Sequence, residues 1–92
     1  MLSIKDIVVT RKNQVSVDLD GEVVVLNTDS GIYYSLQEVG ARVWNLMQNP
    51  VPVESIRDTI MEEYAVEEKR CVADLLSLLG KLREEGLVEV RD

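Results

Sequence analysis

The feature that most constrains this chain is a change of hydrophobic period at Leu36, with strand-like alternation before it, helix-like spacing after it and no linker between. Ile7, Val8 and Val9 make a short β-branched run. From Gln14 to Leu19 the pattern alternates, with Val15, Val17 and Leu19 on one side and Ser16 and Asp18 on the other. Asp20-Gly21 follows, a dipeptide that accepts positive φ and closes a two-residue hairpin. Glu22 to Asn27 carries Val23, Val24, Val25 and Leu26, apolar on both faces, which predicts a central, covered strand. Thr28-Asp29-Ser30-Gly31 is a second turn, and Ile32 to Leu36 returns as a strand at the edge of the meander. Alternation places Ile32, Tyr34 and Leu36 toward the core and Tyr33 and Ser35 away from it.

Beyond Leu36, Val39, Val43 and Met47, joined by Gly40, Trp44 and Leu46, predict a first helix; Ser35 and Glu38 have capping-box spacing, and the alternative is that Ser35 ends the strand. Asn49-Pro50-Val51-Pro52 stops it and launches a second helix, on which Ile56, Ile60 and Tyr64 stack. A third helix runs from about Glu67 to Glu85, with Gly86 as its C-cap, and Leu87 to Val90 is a short final strand. The predicted fold is α+β: an N-terminal antiparallel sheet of about three strands, three helices and a C-terminal wing strand, in a winged helix-turn-helix arrangement forming one domain over residues 1–92.

Chemistry is sparse. Without histidine no Ser-His or Cys-His pair and no His-ligated metal can form, and the glycines are too scattered for a phosphate loop. Asp18, Asp20 and Asp29 fit no calcium-loop spacing and read as turn formers. Cys71 sits on the apolar side of the third helix and reads as a packing thiol. No catalysis, metal or cofactor is expected. The net charge of −7, from 17 acidic against 10 basic residues, disfavours nucleic acid and anionic membranes. With a lone cysteine, no long apolar span and no signal-peptide core at the N-terminus, the expected compartment is the cytoplasm.

Two features point to binding. The edge strand Ile32 to Leu36 contains no Lys, Pro or other blunting device, and it carries Tyr33 and Tyr34, which either pack the sheet or offer a contact surface. On the third helix Cys71, Leu75, Leu78, Leu79 and Leu82 form the core stripe, while Val72 and Leu76 widen the apolar arc beside the small Ala73 and Gly80. That breadth fits either a deeply buried helix or a shallow groove for an extended peptide. If strand edge and groove adjoin, a peptide can add to the sheet as a strand and insert side chains against the helix.

The stretches Asp20 to Asn27, Gly31 to Leu36 and Gly40 to Met47, continued by Asp74-Leu75, Leu78-Leu79 and Gly86-Leu87-Val88, resemble the PqqD-like family, recognition elements of ribosomal peptide natural-product pathways. The chain looks most like the free-standing leader-binding half of a split lasso-peptide B protein. That resemblance implies a leader peptide pairing antiparallel with the third strand, against the third helix. Residue by residue it points to Ile32, Tyr33, Tyr34 and Ser35 on the strand and to Lys69, Val72, Ala73 and Leu76 on the helix, with Asp74 as a further candidate. Gln37 departs from the Asn usual at this helix start, and Gly40 and Trp44 are assigned to packing. The implied partners are the precursor's leader, a separate cysteine protease that removes it, and an ATP-dependent ring-closing enzyme. The expected effect of Tyr33→Ala or Leu76→Ala is weaker leader binding by a folded domain. The rival expectations are a peptide chaperone for a radical enzyme of quinone cofactor synthesis, a DNA-binding regulator, and a structural domain that dimerises through its edge strand.

Overall fold

The computed structural model describes residues 2–91. Six strands and three helices follow one another as β1 (Ile7–Thr10), β2 (Gln14–Leu19), β3 (Glu22–Asn27), β4 (Tyr33–Gln37), α1 (Val39–Leu46), β5 (Val51–Pro52), α2 (Val53–Glu63), α3 (Glu68–Glu84) and β6 (Val88–Arg91). They form two three-stranded antiparallel sheets, ordered β2-β3-β4 and β5-β1-β6. The first is the expected meander. The second corrects the expectation of one N-terminal sheet: Ile7 pairs with Arg91 and with Pro52, so β1 joins the final strand to the short segment between the first two helices.

Local chemistry accounts for the joints. Asp20 and Gly21 both take positive φ, 52° and 91°, as a type I′ hairpin between β2 and β3 requires. At the next turn Asn27 is the organiser: its Oδ1 accepts the N–H groups of Asp29 and Ser30 at 2.9 and 3.2 Å, and its backbone carbonyl accepts that of Gly31. α3 ends in a Schellman motif, with Gly86 at φ 75°, its N–H on the Arg83 carbonyl and the Leu87 N–H on that of Leu82. The Ser35–Glu38 capping box does not form. Glu38 precedes α1 at φ 51° without a side-chain cap bond, and the Ser35 hydroxyl instead donates to Glu22.

The core lies between the sheets and the helices, built from Val8, Val23, Val25, Val43, Trp44, Met47, Val53, Ile56, Ile60, Leu75, Leu79, Leu82 and Leu87. Cys71 is buried within it, as its place on the apolar stripe predicts, and burial pushes its thiol pKa up. β3 is central but not covered on both faces. Val23, Val25 and Asn27 are buried, whereas Val24 and Leu26 are half-buried on the opposite face, beside a wholly exposed run from Val15 to Leu19. Ile32 falls just outside β4 and is exposed, so the expected inward row along that strand reduces to Tyr34 and Leu36. Among the described residues no helix is long and apolar enough to cross a membrane.

Candidate functional site

Among the described residues β4 has a neighbour on one side only, which leaves half of its backbone polar groups without a strand partner. Which half follows from parity. Asn27 lies opposite Ile32 in the β3–β4 register, and its N–H donates to the Ile32 carbonyl at 3.0 Å, which marks that pair as hydrogen-bonded. Alternation then directs the backbone groups of Tyr34 and Leu36 to Val25 and Val23, and those of Tyr33, Ser35 and Gln37 outward. The Tyr34 and Leu36 side chains point inward, and both are half-buried against the core. Tyr33 and Ser35 project from the outer face of the sheet.

One end of α3 is tied to this sheet. The Asn27 Nδ2 donates to the Glu85 carbonyl at 2.9 Å, and the Tyr34 hydroxyl donates to the Glu85 carboxylate. That bond is the main cause holding the Tyr34 phenol above the ordinary tyrosine range. Toward the N-terminal half of α3 the packing opens into an apolar cavity of about 290 Å³. Its walls are Val39, Gly40 and Val43 of α1, Ile60 and Tyr64 of the α2 end, and Cys71, Asp74, Leu75 and Leu78 of α3. It lies where β4 turns into α1, beside the free edge. A bidentate pair of Arg42 with Glu63, both contacts at 2.8 Å, fastens α1 to the end of α2.

The structure brings together only part of the residues expected from the sequence. Tyr33, Tyr34 and Ser35 lie on β4, and Ile32 immediately precedes it. Asp74 lies on the cavity wall. Lys69, Val72, Ala73 and Leu76 do not adjoin the β4 edge. Helical spacing puts Asp74, Leu78, Lys81 and Glu85 on one flank of α3, the flank tied to Tyr34, and puts Lys69, Val72 and Leu76 on the other, with Ala73 on the exposed outer side. Leu76 lines a separate shallow groove with Leu2, Gly80 and Arg83. That groove, beside the small Gly80, lies on the flank of α3 opposite the one tied to Tyr34. Leu78, read from the sequence as core, is the half-buried apolar residue of the flank tied to Tyr34, and Gly40, read as packing, lines the cavity. Asn27 and Glu85, which tie α3 to the sheet, carry no functional motif in the sequence. The one signal for Asn27 is a lone amide closing a run of four apolar residues.

Among the described residues no group of three acidic or cysteine side chains is placed to hold a metal ion. Residues 22–88 match the family described as coenzyme PQQ synthesis protein D, PqqD. The chain belongs to the PqqD family. This is the family expected from the Asp20–Asn27, Gly31–Leu36 and Gly40–Met47 stretches. Two solved structures share the fold of this PqqD-family chain. One, TbiB1 in complex with the TbiA(beta) leader peptide, has a TM-score of 0.84 and 34% identity, over 88% of this chain and 94% of that one. The other, a lasso peptide synthetase B1 complexed with the leader peptide, has a TM-score of 0.79 and 22% identity, over 89% of this chain and 96% of that one, a likeness of fold. None of the curated proteins is similar enough in sequence to count as a match.

Proposed function

We propose that this PqqD-family chain captures the leader segment of a ribosomally synthesised precursor peptide as an added strand on the free edge of β4. The observation that carries this reading is the row of outward N–H and C=O groups at Tyr33, Ser35 and Gln37, running toward the apolar cavity. The two structural neighbours, each complexed with a leader peptide, support it. A leader strand lying antiparallel to β4 makes its main-chain bonds there, and its inward side chains follow Tyr34 and Leu36 into the cleft. Asp74, Leu75 and Leu78 form the helix wall of that cleft, in place of Lys69, Val72, Ala73 and Leu76. Tyr33 acts through its backbone and its outer-face ring.

The domain is non-catalytic and works in the cytoplasm without a cofactor. It presents the bound precursor to a separate cysteine protease and to an ATP-dependent ring-closing enzyme, raising substrate concentration at each. An affinity of roughly micromolar to nanomolar suffices. The helices with β1 and β6 are read as a winged helix-turn-helix with β6 as the wing, turned from nucleic acid to peptide by the −7 net charge. A second reading, a peptide chaperone for a radical enzyme, is favoured by the family description itself. It shares the same site and differs only in the enzyme served.

The test is a fluorescence-anisotropy titration with a labelled leader peptide from the adjacent precursor gene. Saturable binding at micromolar or better, absent with a scrambled leader, is the expected result. A folded protein that binds neither peptide, alone or with the adjacent protease added, sinks the reading.

A further inference from the structure

On the leader-capture reading the peptide lies between two walls, the β4 edge and the flank of α3 that carries Asp74 and Leu78, and these come from distant parts of the chain. The buried stripe Cys71, Leu75, Leu79 and Leu82 holds α3 down on the core. Apolar packing is non-directional, so it fixes the depth of the helix more firmly than its lean toward or away from β4. Two hydrogen bonds supply that direction, and both end on Glu85. The Asn27 amide, buried on β3, donates to the Glu85 carbonyl at 2.9 Å, and the Tyr34 hydroxyl, on β4 itself, donates to the Glu85 carboxylate. Among the described residues no other hydrogen bond joins this sheet to α3 or its cap.

Glu85 is the C-cap of α3, and its own N–H stays on the Lys81 carbonyl, so it moves with the helix. The chain beyond it is fixed as well: the Leu87 N–H returns to the Leu82 carbonyl, and the Leu87 carbonyl accepts the Arg11 N–H next to β1. At ~1.5 Å rise per residue, Leu78 and Asp74 stand about 10 and 16 Å up the helix from this anchor. A lean of about 10° there displaces Asp74 by about 3 Å, the difference between touching an inserted side chain and leaving a gap.

We propose that Asn27, Tyr34 and Glu85 are positioning residues for peptide capture, a brace that holds the cleft between β4 and α3 at its working width before the peptide arrives. The proposal rests on the leader-capture reading and adds to it a reason for the tie. A wall held ready spares binding the cost of ordering it. A helix that leans among several positions binds with its affinity reduced to the fraction of copies in the right one. Asn27 also shapes the β3–β4 turn through its Oδ1, so Tyr34 and Glu85 are the cleaner probes of the brace.

The test is leader affinity by anisotropy titration, at a temperature well below the melting transition of every variant. Tyr34→Phe keeps the ring and Glu85→Ala removes the acceptor, and each should weaken leader binding about 5-fold. The double variant should lose about the same 5-fold rather than about 25-fold, because both changes cut one bond. Glu85→Gln keeps an oxygen acceptor and should recover most of the affinity. Val90→Ala, which loosens the other sheet, should lower Tm and leave leader affinity unchanged. Parental affinity in Tyr34→Phe and Glu85→Ala, or losses that multiply in the double variant, overturns the brace while the leader reading stands. Tighter binding by either single variant also overturns it, since the contact would then be a latch across the cleft. A folded parent that binds no leader overturns the leader reading and the brace with it.

Discussion

In the β5-β1-β6 sheet the successive residues Val8 and Val9 of the central strand are both buried, so both faces of that strand are covered. In the β2-β3-β4 sheet burial alternates along the central strand, and only one face is covered. The edges differ in the same sense. β5 has two residues, one of them Pro52, and β6 carries the Glu89–Arg91 ion pair, all devices that discourage further pairing. β4 carries none of these, and β2 is exposed from Val15 to Leu19. One sheet closes the domain and the other is left open to add a strand. A small domain has little core to spare, so surface left open in this way points to use rather than to economy of folding.

The contrast predicts its own failures, beginning with the largest. Val8→Asp should abolish folding, because an unpaired carboxylate in a closed interior costs more than a domain of this size can lose, whereas Val17→Asp should leave Tm within a few degrees of the parent in circular-dichroism melts. Proline placed along β4 should divide by parity. Tyr34→Pro removes a ladder donor to β3 and should lower Tm by roughly 10 °C or more. Ser35→Pro removes an outward N–H and the exposed hydroxyl bond to Glu22, and should leave the fold intact while weakening leader binding about 100-fold, measured by anisotropy titration. Unaltered binding by Ser35→Pro would show that the open edge is not where the peptide pairs.

The two flanks of α3 sharpen the comparison further. Leu78→Ala should weaken leader binding about 10-fold and Leu76→Ala less than 2-fold, from the lost apolar contact on one flank and its absence on the other. The reverse order would move the peptide to the groove beside Leu2 and Gly80. The smallest effect is a pH dependence. The Tyr34 phenol is held above its ordinary value by its bond to the Glu85 carboxylate, so its contribution to stability is complete below the unfolded tyrosine pKa of about 10 and is lost as pH rises through the folded value. Ultraviolet titration should find Tyr34 ionising late, and Glu85→Gln should bring its midpoint down.

The meander and the helices were legible because each carries its own period: the Asp20-Gly21 hairpin, the Leu36 switch and the Gly86 cap are local signals. The second sheet was not, because β1 pairs with β6 from the far end of the chain and with a two-residue strand too short to show any pattern. The bare outer face is illegible for a related reason: Val23 to Leu26 is apolar on both sides, and composition does not say which side another element covers. The free edge of β4 was legible as an unblunted strand. The flank of α3 that is tied to its sheet was not. A helical wheel gives the width of an apolar arc, but the choice between the Leu76 and Leu78 flanks is made by Asn27 and Tyr34, which bond to Glu85 from another part of the chain.

The most direct test of the central claim is amide hydrogen exchange along β4, read by NMR with and without leader peptide. The account predicts that the amides of Tyr33, Ser35 and Gln37 exchange freely in the unliganded protein and become protected at saturating peptide, while those of Tyr34 and Leu36 are protected in both states. Protection appearing instead on the free edge of β2, at Ser16 and Asp18, or along the Leu76 flank of α3 with β4 unchanged, would contradict it.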